Sequence, residues 1–264
     1  MFDFNRLLNS LSSRAGAVAD FRRMLEWKLL RGSHEFPGPD GGTCLNEAAV
    51  VAAGYPYRAI YCVRDLPASF SRPISMLALC LNDTLEDGLR QQLLLPFVAR
   101  LGGSADAPKT EMTRAELVLA RTAAEIVAPA LARAGYGEIA ERCRSYRMPT
   151  ELVELPRRMR DYGHSVLHQS LTSALEHIAD AGRQWLSGLP TEVVFCAFSA
   201  MREIAMLDGE CRMEEVYRRA VAILDAAIAI GNRAEASAPE VVAERMDAAK
   251  RATQAARCGE TLAA

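Results

Sequence analysis

The residues with the most chemical potential in this chain sit in one short stretch. His34-Glu35-Phe36-Pro37-Gly38-Pro39-Asp40-Gly41-Gly42 is a Pro/Gly-rich loop that runs straight into Thr43, Cys44 and an apolar segment ending at Gly54. The pattern predicts Thr43 as the N-cap of a small-residue helix from Cys44 to Ala53, closed by Gly54. A cysteine in the first turn of a helix meets unpaired N–H groups and the positive end of the helix dipole, and both favour thiolate. That makes Cys44 a candidate nucleophile of a thiol hydrolase or acyltransferase. The loop could fold His34 back as its base, with Asp83 or Asn82 orienting the imidazole. The Thr43–Leu45 amides would then supply an oxyanion site. Against this, Glu47 lies one turn on and opposes thiolate formation. Free cysteine is also among the most buried residue types, so a packed, inert Cys44 at the loop–helix junction is the competing reading.

A second constellation is His164 and His168, spaced i and i+4, which lets two imidazoles reach one metal. They share a helical face with Leu171 and Leu175, while His177 falls nearly opposite. No Glu follows His164 directly, and a third ligand would have to come from Cys143 or Glu203. Two ligands alone make a weak site, and two packed histidines at a helix–helix contact are the preferred reading. Gly41-Gly42-Thr43 lacks the lysine and the preceding strand of a phosphate loop. Asn82-Asp83-Thr84 reads as helix capping between two helices. The arginines of Arg157–Arg160 and Arg142–Arg147 interleave with glutamates, as on a solvated face.

Helical periodicity dominates the elements that must position these groups. Val18, Phe21, Leu25 and Leu29 make an apolar stripe. Tyr55–Val63 is the best strand candidate, although a lone strand is poorly stable and an extended connector serves as well. Ser71 with Pro73 starts a helix over Ile74–Leu81. Leu85, Leu89, Leu93, Phe97 and Leu101 then recur every fourth residue, with a kink expected at Pro96. Gly102 to Thr110 reads as a linker. Helices follow over Glu116–Ala134, Glu138–Arg147, Thr191–Leu207, Glu214–Ile230 and Val241–Arg257. The last of these is alanine-rich and should dock weakly or pack on a partner. The expected fold is therefore all-α and multi-helix. It comprises an N-terminal helical domain over 1–101 that bears the Cys44 motif and a C-terminal helical bundle over 111–264.

The chain has 264 residues, of which 50% are hydrophobic, and a net charge of −2. That near-neutral balance argues against a nucleic-acid partner. Three of the 31 basic residues are lysine (Lys28, Lys109, Lys250), so forked ion pairs are expected. Seven cysteines, odd in number and never in a C-x-x-C pair, point to a reducing cytoplasmic setting rather than a disulfide framework. No secretory h-region and no run long enough to span a membrane is evident.

The blocks Gly41-Gly42-Thr43-Cys44-x-Asn46-Glu47-Ala48-Ala49, Phe70-Ser71-Arg72-Pro73-Ile74, Leu81-Asn82-Asp83 and Leu95–Leu101 occur in that order. Together they resemble a set of uncharacterised bacterial proteins that pair a Cys-x-x-x-Ala helix start with a downstream Asn-Asp. The resemblance implies that Cys44 and Asn82-Asp83 belong to one constellation, and it implies no activity. The placement of Cys44 also resembles, in local architecture alone, that of papain-like and transglutaminase-like nucleophiles. Those enzymes take His and Asp from strands after the cysteine, and such strands are not expected here. The sequence thus favours a non-catalytic, cytoplasmic helical module that binds a protein partner or forms a homo-oligomer. It would need no cofactor or metal and engage no nucleic acid or membrane. The thiol enzyme built on Cys44 is the alternative.

Overall fold

The computed structural model describes residues 28–33, 42–160, 166–207, 210–231 and 238–262; it excludes the side chains at 166, 168, 210, 211, 239, 253, 254 and 256–262. Those residues form an all-α protein, with no strand among them beyond a single parallel bridge between Leu29 and Thr43. In chain order the helices are α1 (Leu45–Ala52), α2 (Arg72–Thr84), α3 (Asp87–Leu94) and α4 (Pro108–Arg121). Then come α5 (Ala128–Arg133), α6 (Gly137–Ser145), α7 (Leu155–Arg160) and α8 (Val166–Leu186). The last three are α9 (Pro190–Leu207), α10 (Glu210–Ile228) and α11 (Pro239–Leu262).

Internal contacts group the chain into two compact units. The first takes Met1–Phe70, Asn82–Ala105 and Arg233–Ala264; the second takes Ser71–Leu81 and Asp106–Asn232. This grouping places α11 with the first unit, whereas a cut between 101 and 111 leaves it with the second. The physical reason lies on one face of α11. Val242, Ala243 and Met246 are buried, α11 packs on α1, and Arg245 donates to the Ala52 carbonyl at the end of α1. The alanine-rich helix finds its partner inside its own chain.

Several local expectations shift. Thr84 ends α2 rather than opening the next helix, and Glu86 flanks the start of α3. The reason is that Asn82 and Asp83 spend their side chains on other segments, as described below. Tyr55–Val63 forms no strand. No neighbouring extended segment among the described residues offers a ladder, and Asp65 instead accepts the Tyr61 and Cys62 amides to set a 3₁₀ turn over Val63–Asp65. The Leu85–Leu101 ladder breaks at Pro96, where α3 gives way to a 3₁₀ turn over Leu95–Phe97.

In the second unit, α4 and α5 join through a π turn over Thr122–Val127. Pro129 follows it and has no N–H to offer the carbonyl four residues earlier. That carbonyl, on Glu125, is taken by Arg219 of α10 at 2.6 Å. The helices α8 and α9 form a tight hairpin in which the Gly188 and Leu189 amides bond the Trp185 and Gln184 carbonyls. Gly182 of α8 lies where a Cβ would sit 2.5 Å from the Pro149 carbonyl, so a side chain there would push the Pro149–Glu154 turn away.

Arg114 closes this unit's core. Its side chain is fully buried. Nε and Nη2 donate to the Ile230 carbonyl at 3.1 and 2.7 Å, and Nη1 donates to Glu111 at 3.0 Å. A cation at the C-terminal end of α10 suits both the free carbonyl and the dipole. Replacing it takes both donors from the half-buried Ile230 carbonyl and the charged partner from Glu111, which keeps the Asp106 amide and Ser71 hydroxyl. Arg114→Met is expected to cost roughly 2–4 kcal/mol in urea unfolding; a loss under about 0.5 kcal/mol, the level of an ordinary surface change, would show that the cap is dispensable.

Candidate functional site

The junction that carries Cys44 is built on an extended segment. The Leu30 amide donates to the Thr43 carbonyl at 2.9 Å, and the Thr43 amide donates to the Lys28 carbonyl at 3.1 Å. This pairing brings the two stems of the loop side by side. The chain then turns into α1 with Cys44, not Thr43, as the N-cap. The one-residue shift follows from Thr43 being held in the bridge, so its backbone cannot serve the helix. Cys44 is extended at φ −74° and ψ 162°, and its Sγ accepts the Glu47 amide at 3.4 Å. At its other end α1 closes as expected at Gly54, whose φ of 90° suits glycine. The Gly54 and Tyr55 amides cap the Val51 and Val50 carbonyls.

Glu47 organises the site. It is fully buried in α1, and its two carboxylate oxygens together serve three stretches of chain. Oε2 accepts from Thr43 Oγ1 and from the Cys44 amide, each at 2.9 Å. Oε1 accepts from Ser33 Oγ at 2.6 Å and from the Ile60 amide at 3.1 Å. The first pair completes a capping box, with cysteine in the place that serine or threonine usually holds. The second pair ties the loop stem and the 55–63 connector to the same carboxylate. Tyr57 adds a hydrogen bond to the Thr43 side chain; burial and the nearby Glu47 charge hold its phenol well above the ordinary range.

Asn82 and Asp83 reach the same junction. Asn82 Oδ1 accepts the Leu45 amide at 3.1 Å, and its Nδ2 donates to the Leu30 carbonyl at 2.8 Å and to Asp83 at 3.0 Å. Asp83 accepts the Gly32 amide at 2.9 Å. Arg90, itself buried, donates to the Asn82, Leu85 and Leu29 carbonyls and pairs with Asp87 at 2.6 Å. Asn82, Asp83 and Cys44 are therefore one constellation in space. Apart from the Asn82–Asp83 contact, their side chains bond backbone groups that fix the loop stems and the head of α1.

His34 lies outside the described residues, as does His164, and the side chain of His168 is likewise excluded. No group of three or more His, Cys, Asp or Glu side chains among the described residues could hold a metal. Cys143, the third ligand considered for the His164–His168 pair, is buried in α6, and burial pushes its thiol up to about 12.

The electrostatics of Cys44 run against nucleophilicity. Its side chain is 0% exposed, and burial, then the Glu47 charge, push its thiol well above the ordinary value. The backbone hydrogen bonds at the head of α1 pull the other way but are smaller contributions. In the sequence Glu47 reads as a charge opposing the thiolate but not as the buried acceptor it is, and residue type alone does not point to Ser33, Tyr57, Ile60 or Arg90 as partners of this site. The Cys44-x-x-Glu47 spacing, the same as a Thr-x-x-Glu capping box, was the available signal.

Two outcomes follow. A thiol whose folded-state pKa is raised stabilises fully below the unfolded value of 9.0 and loses that contribution as pH climbs above it, because only the unfolded thiol ionises. Native protein alkylated at pH 8 should therefore retain Cys44 and Cys143 unlabelled until denaturant is added, as read by peptide mass spectrometry, and the unfolding midpoint should fall above pH 9.0. Rapid native labelling of Cys44 would contradict its burial. Glu47→Gln places an N–H₂ among donors and should destabilise by roughly 2–4 kcal/mol in chemical unfolding.

Comparison with known protein families, curated proteins and solved structures finds no match to this chain.

Proposed function

We propose that this chain is a non-catalytic helical module that associates with a second copy of itself. The Cys44–Glu47–Asn82 cluster supports the non-catalytic part. Its carboxylate, amide and thiol are turned inward to brace two loop stems, and the thiol is kept protonated at neutral pH. We read the Gly41–Ala49 and Leu81–Asp83 motif blocks as supplying Thr43, Cys44, Glu47, Asn82 and Asp83 to this brace. A cytoplasmic setting accords with free cysteines at Cys44, Cys62, Cys80, Cys143 and Cys196, and no described helix is long and apolar enough to cross a membrane.

One observation carries the association. Phe195 and Met206 of α9 are 52% and 69% exposed. Eleven residues separate them, about three turns, so they lie about 20° apart around the helix and about 16 Å apart along it. Leu186 and Leu189, at the α8–α9 turn, are exposed as well. We read Phe195 and Met206, two large apolar side chains on one side of α9 with Arg202 between them, as the contact surface. Exposed Glu192 and Arg202 give α9 charges of both signs, and a net charge of −2 sets up little repulsion between copies. A second α9 is therefore a suitable cover. Light scattering across a dilution series should show a dimer that dissociates on dilution. Phe195→Glu combined with Met206→Glu should yield a monomer whose thermal unfolding matches that of the wild-type chain diluted below its dissociation constant. A wild-type chain that stays monomeric at the top of the series would overturn the reading.

A further inference from the structure

The exposed residues of α9 are Glu192, Phe195, Arg202 and Met206. At about 100° per residue they fall within an arc of about 80°, so they form one face. Their order along the helix is an acid, an aromatic ring, a base and a thioether. Just before α9 begins, Leu186 and Leu189 are exposed as well. Arginines on the neighbouring helices are paired within the chain: Arg183 of α8 with Asp180, and Arg218 and Arg219 of α10 with Glu214 and Glu215. Glu192 and Arg202 have no ion pair among the described residues. About 15 Å of helix separates them, too far for them to pair with each other.

We propose that two copies pair antiparallel through α9, about a twofold axis at the level of Ala197, so that Glu192 of each meets the partner's Arg202. This pairing rests on the self-association through α9 given above and adds its orientation and register. Ala197 lies midway between the acid and the base, each about 7.5 Å away along the helix. A twofold there presents the same face reversed, as an isologous interface requires. It sets Glu192 level with the partner's Arg202, twice in each dimer. It also brings Met206 within about 1.5 Å of the level of the partner's Leu189, the exposed leucine at the head of α9. Phe195 and the partner's Phe195 fall about 6 Å apart along the axis, within the spacing of an offset aromatic pair. A parallel pairing in register sets Glu192 against the partner's Glu192 and Arg202 against the partner's Arg202, and facing like charges are penalised. Both charges and both apolar ends find a match when the face is turned end for end.

Analytical ultracentrifugation of the full chain tests the pairing, with circular dichroism to confirm that each variant is folded. Glu192→Arg and Arg202→Glu should each weaken the dimer by about tenfold or more, since each swap puts two like-charge contacts into one dimer. Glu192→Arg combined with Arg202→Glu should restore wild-type dimerisation, because the same pairs form with their signs exchanged. Independently, Met206→Cys mixed with Leu189→Cys under oxidised glutathione should give an intermolecular disulfide between those positions, located by peptide mass spectrometry. Met206→Cys alone should not link position 206 to itself, because the two copies of that position lie about 27 Å apart along the axis. A monomeric wild-type chain would overturn the self-association itself. A wild-type dimer whose single swaps associate normally, whose double swap does not recover, or whose Met206→Cys variant links to itself overturns the antiparallel pairing and leaves the self-association standing.

Discussion

The first unit depends on one buried carboxylate. Glu47 gathers two hydroxyls and two backbone amides from three separate stretches of chain: the loop stem at Ser33, the helix head at Thr43 and Cys44, and the connector at Ile60. A carboxylate taken out of water is costly unless its lone pairs are filled, and the surrounding donors fill them. Because those donors lie on different segments, satisfying the charge also fixes where the segments run. Asn82 and Asp83 extend the same logic, pinning Leu30, Gly32 and Leu45 through backbone groups. What looks in isolation like a catalytic apparatus, a thiol at a helix head with an Asn-Asp nearby, is arranged as a brace.

Arginine performs the complementary task. Where a helix ends or a ladder breaks, its carbonyls need donors. Arg90 serves the last turns of α2, Arg114 the end of α10, Arg245 the end of α1, and Arg219 the carbonyl that Pro129 cannot reach. Arg121 adds a bond to the Ala222 carbonyl. A planar guanidinium with several fixed donors can cap a carbonyl and still pair with a carboxylate, as Arg90 does with Asp87 and Arg114 with Glu111. The scarcity of lysine in this chain makes sense in those terms. A residue with a point charge could meet the pairing but not the multiple, directional contacts.

These two devices separate the chemistry of the molecule from its surface. Among the described residues, the Cys44, Glu47 and Asn82 side chains are buried and bonded inside the first unit. Phe195 and Met206 of α9 are turned outward. They lie in the second unit.

Much of this was legible in the residues themselves. Periodicity marked the helices, because an apolar stripe at 3.6-residue spacing has few other stable uses. Gly54, Pro96 and Ser71 marked ends and starts, because their effects on backbone geometry are local. The ordered Cys44 and Asn82-Asp83 blocks marked one constellation. Other features depended on distance in space. The sequence could not say that Glu47 would be buried and fully bonded, since Ser33 and Ile60 reach it only after the chain turns back. Nor could it place α11 on α1, because Ala-rich spacing offers a face without naming its partner. Whether Cys44 would be reactive turned on burial. The local position at a helix head favours thiolate, and the tertiary structure buries the sulfur beside a carboxylate, where desolvation and charge outweigh that local pull.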